Sequence, residues 1–262
     1  MLRLSTKSFA LDALGVVLTI AALTLGAHGF KRASTNSPAV HTPKLFLWAW
    51  ERPSDLRFID TGKVGVAYLA RSINLAADDM VIRPRIQPLL IPDQTKVIAV
   101  TRIETDRERK PALSGSQRDR VVKAIVQLSA LPSVSEIQID FDATQSERQF
   151  YRELLTGLRR ELPAGKRLSI TALASWCMSD NWISDLPVDA AVPMLFRMTA
   201  DGKQIVTRLN AGDDFFEPLC RQSYGVSLDE PQPKLLADRS LYVFNPDAWT
   251  EKAVQQLLES PK

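Results

Sequence analysis

The seven residues Glu136–Asp142, E-I-Q-I-D-F-D, constrain the fold more than any other stretch of the chain. Ile137, Ile139 and Phe141 alternate with Gln138, Asp140 and Asp142, which is the period of a β-strand. Side chains two apart on a strand share a face, so Gln138, Asp140 and Asp142 stand in a row with Cα atoms about 6.5–7 Å apart. The other face is wholly apolar and must meet a core. A buried carboxylate is costly unless it is paired or used. The next segment, Ser146–Leu162, has helical character. Two carboxylates therefore fall where a strand gives way to a βα loop, the position at which α/β barrels hold their reacting groups.

Seven further runs have strand character: Leu45–Trp50, Val64–Ala70, Lys96–Ile103, Arg167–Ala174, Ala190–Arg197, Gln222–Leu228 and Ser240–Phe244. Between some of them lie amphipathic stretches. Gln117–Leu131 places Val121, Val122, Ile125, Val126 and Leu128 on one helical face, with Ser114 and Ser116 as candidate caps. Glu147–Leu162 repeats the pattern through Phe150, Leu154, Leu155, Leu158 and Leu162, and Pro163 ends it. Asn210–Leu219 and Thr250–Leu258 also read as helices. Arg71–Gln94 has no clear period, but Ile86–Ile91, between prolines, reads as an extended edge piece. Strands alternating with helices predict βαβ units and a parallel sheet. Eight of them predict an α/β fold of the (β/α)8 TIM-like barrel type, a single domain over 45–262. An open doubly wound sheet usually carries a glycine-rich phosphate turn, and the chain has neither G-x-G-x-x-G nor a P-loop.

The N-terminus has a different character. Arg3 and Lys7 precede an uncharged apolar run from Ala13 to Phe30, which predicts that residues 1–30 are a signal peptide or a membrane anchor. Ala27-His28-Gly29 is a small-x-small cleavage pattern. Residues 31–44, small and polar with Pro38 and Pro43, read as a linker. The expected location is the periplasm or the exterior, with a tether to the inner membrane through 13–30 as the other form.

Composition narrows the chemistry. A net charge of +3 without a clustered Lys/Arg face argues against nucleic acid as a partner. Two cysteines and two histidines do not make up the usual zinc ligand set, and no metal or cofactor is expected, although a carboxylate-only site stays open. Cys177 and Cys220 read as buried thiols, with a disulfide as the alternative in an oxidising compartment.

A barrel gathers its polar and aromatic groups at the C-terminal strand ends, and this sequence supplies them. They are Trp48, Trp50 and Glu51 from the first strand, Arg102 and Glu104 from the third, Gln138, Asp140 and Asp142 from the fourth, and Trp176, Met194, Arg197 and Tyr224 from the later ones. Carboxylates mixed with tryptophans suit a carbohydrate, since flat apolar faces stack on pyranose rings and carboxylates bond hydroxyls or move protons. Two carboxylates on one inward face repel, so one should hold its proton more tightly than a free Asp. A protonated acid near neutral pH is what glycosidic cleavage requires. Two residues apart on one strand cannot flank a sugar from opposite faces. A third carboxylate must complete the site, from Glu51, Glu104, Asp180 or Asp229, or the substrate must supply the nucleophile.

With these residues the fourth strand resembles that of the chitinase-type (family 18) glycosidases, G-x-D-x-D-x-E. Gln138 falls on the first Asp, Asp140 on the second and Asp142 on the acid Glu. The sixth-strand M-x-Y reads Met194-Leu195-Phe196, and the eighth strand has no Trp. The chain from Leu45 also resembles an uncharacterised bacterial family, a domain of unknown function grouped with TIM-barrel glycosidases, through its W-A-W-E-R start and I-D-F-D fourth strand. The resemblance implies Asp142 as proton donor and Asp140 as its orienting, pKa-setting neighbour. Trp48, Trp50 and Trp176 are the expected sugar platforms. The expected function is an exported or tethered glycoside hydrolase-like protein acting on a polysaccharide or glycoconjugate. Its rivals are a non-catalytic glycan-binding barrel and an envelope scaffold.

Overall fold

Eight parallel strands realise the eight runs: Leu45–Ala49 (β1), Val64–Ala76 (β2), Val97–Thr105 (β3), Val134–Asp140 (β4), Arg167–Leu173 (β5), Ala190–Met194 (β6), Ser223–Ser227 (β7) and Ser240–Phe244 (β8). They hydrogen-bond in sequence order, and β1 pairs with both β2 and β8, so the sheet closes on itself as a (β/α)8 TIM-like barrel. The computed structural model describes residues 43–259. The apolar run 13–30 and nearly all of the predicted linker lie outside them. No helix among the described residues is long and apolar enough to cross a membrane.

Five α-helices cover the barrel: Gly115–Val126 (α1), Arg148–Glu161 (α2), Ala174–Met178 (α3), Gly202–Asn210 (α4) and Glu251–Glu259 (α5). Ser114 caps α1, its hydroxyl accepting from the Gln117 amide at 3.2 Å. Glu147 closes the start of α2 by accepting from both the amide and the hydroxyl of Thr144, at 2.6 and 2.7 Å. The helices bury Val121, Val122, Ile125, Leu154, Leu155 and Leu158 against the outward faces of the strands. That apolar layer between sheet and helices is the main core.

The chain departs from the regular pattern in three connections. No helix joins β1 to β2, β2 to β3 or β7 to β8. Between β2 and β3 the chain instead forms an antiparallel strand, Asp79–Pro84, which extends the sheet outside the barrel. Its period was unreadable because the strand is an edge with both faces largely exposed. The expected edge piece at Ile86–Ile91 shrinks to Leu89–Leu90, which pairs with Ser54–Asp55. The predicted helix Asn210–Leu219 is not formed. The helix precedes it as α4, and a 3-10 turn, Pro218–Gln222, follows. Gly212 with φ +98° turns the chain just after α4, a conformation that L side chains resist.

A second correction concerns the cysteines. Cys177 on α3 and Cys220 on the 3-10 turn before β7 are joined as a disulfide, with Cα atoms 5.9 Å apart and a sequence separation of 43. The Cys177 carbonyl also accepts from the amides of Phe216 and Glu217. This cross-link lies beside the thinnest seam of the barrel, where β6 and β7 share a single register pair, Met194 with Gly225. Close packing explains the glycine. A methyl group at position 225 would lie 2.9 Å from Cη2 of Trp48 and 3.3 Å from the carbonyl of Pro193.

Two outcomes are expected. Gly225→Ala should destabilise the fold by about 1–3 kcal/mol through overpacking, and it should alter the Trp48 emission, read by urea unfolding followed by tryptophan fluorescence. Cys177→Ser should lower the unfolding free energy by about 2–4 kcal/mol, and dithiothreitol should destabilise the wild type by a similar amount while leaving the variant unchanged.

Candidate active site

The inward face of β4 runs Glu136, Gln138, Asp140 and, just past the strand end, Asp142. All but the last are buried, and each finds its partners on other strands of the barrel. Glu136 accepts from Ser169 on β5 and pairs with Arg167 at 3.1 Å. Gln138 donates to Ser169 and accepts from the Trp48 indole N–H, both at 3.2 Å. Asp140 accepts from the Thr171 hydroxyl at 2.6 Å, and its other oxygen lies 4.0 Å from Arg102. A hydrogen-bonded column therefore rises along the axis, and Asp142 stands exposed at its open end.

The column sets the protonation of the pair. Asp140, 8 % exposed, is pushed up to about 6, first by burial and then by the charge of Asp142, against the Thr171 bond and Arg102. Burial also raises Asp142, and Arg102 pulls it back. The sequence leads one to expect mutual repulsion as the main cause. In the fold desolvation leads, and the larger upward shift is at Asp140.

Opposite the carboxylates the cleft wall is aromatic. Trp48, 4 % exposed, forms its floor, tilted against Phe196 and Tyr242 with ring centroids 6.1 and 5.6 Å away. Phe196 and Phe244 lie parallel at 5.8 Å, and the Arg197 guanidinium sits 5.1 Å over the Phe244 ring. Arg197 adopts φ +50°, and its amide donates to both oxygens of Glu230 at 3.0 Å. The half-buried Trp50 completes the wall. Arg85 secures the turn behind it by donating to the carbonyls of Ala49, Trp50 and Arg52. The cleft measures about 360 Å3.

The predicted residues divide into four groups. Trp48, Trp50, Arg102, Asp140, Asp142, Met194 and Arg197 come together in this cleft. Gln138 is fully buried beneath it and positions Trp48. Glu104, paired with Arg102 at 2.9 Å, faces an adjoining groove, and Glu51 lines a smaller hollow of about 280 Å3 beside Trp50. Trp176 and Tyr224 are elsewhere. Trp176, 3 % exposed, lies in the outer core, edge-on to Trp182. Tyr224 alternates with the inward Gly225, so it faces outward, against Phe215 and Arg239. Of the suggested third carboxylates, Asp180 is held by Arg148 and Asp229 by Ser227.

Sequence reasoning passed over Thr171, Phe244 and Asp201, which also line the cleft. Period-2 alternation from Ser169 points Thr171 inward, and the same alternation from Tyr242 points Phe244 inward. Asp201 carries no such signal because it sits at the N-terminus of α4, in a loop.

No protein-family model matches the chain, and no curated protein matches it. Two solved structures are similar in fold. One is the chitinase domain of the spore coat protein CotE from Clostridium difficile, with 16 % identity, a TM-score of 0.37 and 61 % of this chain covered. The chain spans 51 % of that domain, about half its length. The other is the chitinase RmChi1 from Rhizomucor miehei, with 13 % identity, a TM-score of 0.44 and coverage of 70 % of this chain and 68 % of that one. At such identities the likeness is one of fold.

Proposed function

We propose that this protein is an exported carbohydrate-active barrel that cleaves a glycosidic bond by acid assistance. The observation that carries the reading is the pairing of Asp140 and Asp142, both raised, at the end of a buried polar column that faces an aromatic wall. Asp142, exposed at the mouth, meets the leaving oxygen. Asp140, dry and raised to about 6, keeps a proton in the pair until a sugar covers it. Trp50, Phe196 and Phe244 offer apolar faces for sugar rings. The residues facing the carboxylates from β6 and β8 are Met194, Phe196 and Phe244, which hold no nucleophile. The attacking group is then a neighbouring group of the substrate itself, or a water that Asp201 activates.

The disulfide supports export, because such bonds persist in oxidising compartments. Residues 1–30 would be the route, and 13–30, if uncleaved, the tether. A reporter fused after Pro43 should be active only outside the cytoplasm. Cytoplasmic activity alone would refute export.

Substrates come from a glycan array probed with the purified protein, followed by turnover of each hit. Asp142→Asn should lower turnover by roughly 10²–10⁴-fold and leave sugar binding within a few-fold. Asp140→Asn should lower turnover less and move the alkaline limb of the pH profile away from about 6. Equal turnover by Asp142→Asn and wild type would place the acid elsewhere. Binding without turnover in the wild type would make the barrel a glycan-binding module.

Stability reports on the same pair. Asp140 binds its proton more tightly in the folded chain than in the unfolded one, so its contribution is present below about pH 4 and is lost as pH rises through about 6. Relative to Asp140→Asn, the wild type should lose up to about 3 kcal/mol over that interval, measured by urea unfolding at each pH.

A further inference from the structure

Beside the cleft, and sharing Arg102, Asp140 and Asp142 with it, lies a groove of about 660 Å3 over the ends of β3 and β4. Its charges are unevenly committed. Asp106 accepts from the amides of Glu108 and Arg109, both at 2.8 Å. Glu147 is held by Thr144, and Glu104 by Arg102. The donors are different: among the described residues, the side chains of Asn74, Arg107 and Lys110 have no hydrogen-bond or ion-pair partner. The outer end of the groove therefore offers an incoming ligand two free cations and a free amide, while Glu104, Asp106 and Glu147 are occupied; the unpartnered carboxylate, Asp142, stands at the inner end, where the groove meets the cleft.

We propose that this groove binds an anionic substituent, a carboxylate or a phosphate, on the glycan chain whose reacting bond lies at Asp142. The inference rests on the reading of the cleft as a carbohydrate site and narrows the substrate to an acidic glycan. An Arg and a Lys that line one groove can form charge-assisted hydrogen bonds with either group. The shared wall lets one chain run from the aromatic cleft past the carboxylate pair into the groove. A charged unit on that path also strengthens with falling salt, unlike a neutral one.

The test is equilibrium binding of the full chain in detergent to polygalacturonate, to poly(glycerol phosphate) and to a neutral N-acetylglucosamine hexamer, at low and high salt. At least one anionic polymer should bind, more weakly as salt rises, and the one that binds identifies carboxylate or phosphate. Arg107→Glu/Lys110→Glu should weaken that binding by roughly tenfold or more. Arg107→Gln/Lys110→Gln should weaken it less. Lys123→Glu, an exposed residue in the last turn of α1 that does not line the groove, should not change it. Neutral-hexamer binding should be the same in all four proteins. Undiminished polymer binding by the double charge reversal would overturn the proposal. Binding of the neutral hexamer but of neither polymer would also overturn it, and would leave the carbohydrate cleft standing. Binding of none of the three would remove the cleft reading and this proposal together.

Discussion

The structure depends on satisfying the inward face of β4. A strand that presents Glu136, Gln138, Asp140 and Asp142 to one side can be buried only where neighbours supply hydrogen bonds, because each unpaired buried polar group costs about 1–3 kcal/mol. The barrel brings Arg167, Ser169 and Thr171 from β5 and Trp48 from β1 to that face. Gln138 is the central member. It uses one amide atom toward β1 and the other toward β5, tying opposite parts of the wall through the axis. The column stops at Asp140 because Asp142 lies beyond the last rung, at the mouth.

From this the cleft inherits its two-sided character. Its β3–β5 side is polar, with Arg102, Asp140, Asp142 and Thr171. Its β1, β6 and β8 side is aromatic. The indole of Trp48 belongs to both, bonded to Gln138 at its nitrogen and packed on Phe196 and Tyr242 by its rings. A shift of that ring would disturb the carboxylate column and the aromatic wall together. Gly225 leaves the space that the ring occupies, and the Trp48 carbonyl accepts from the indole of Trp249 at 3.0 Å. Position and protonation at the mouth thus depend on packing and hydrogen bonds that reach well below it, through Gln138, Gly225 and Trp249.

The same logic explains where the covalent bond falls. β6 and β7 meet through one register pair, and β6 contains Pro193, which has no amide to donate to the ladder. A short ladder leaves that part of the wall with few backbone hydrogen bonds. The Cys177–Cys220 bond and the amide bonds to the Cys177 carbonyl fasten the adjoining connections.

Much of this architecture is legible in the amino-acid sequence, because strand period and helical amphipathicity are local. All eight barrel strands, α1, α2 and α5 follow from such patterns, and alternation alone puts Asp140 and Asp142 on one face. Other features were decided only by the tertiary structure. Trp176 and Tyr224 are aromatic residues near strand ends, but whether such a ring faces the cleft or the helix layer depends on register and on where the strand stops. The disulfide needs two loops brought within 6 Å of each other, and no spacing of 43 residues specifies that. The edge strand Asp79–Pro84 has no buried face to impose a period. The proton affinity of Asp140 comes from desolvation by the closed barrel around it, a property of the surroundings that the strand's own sequence does not contain.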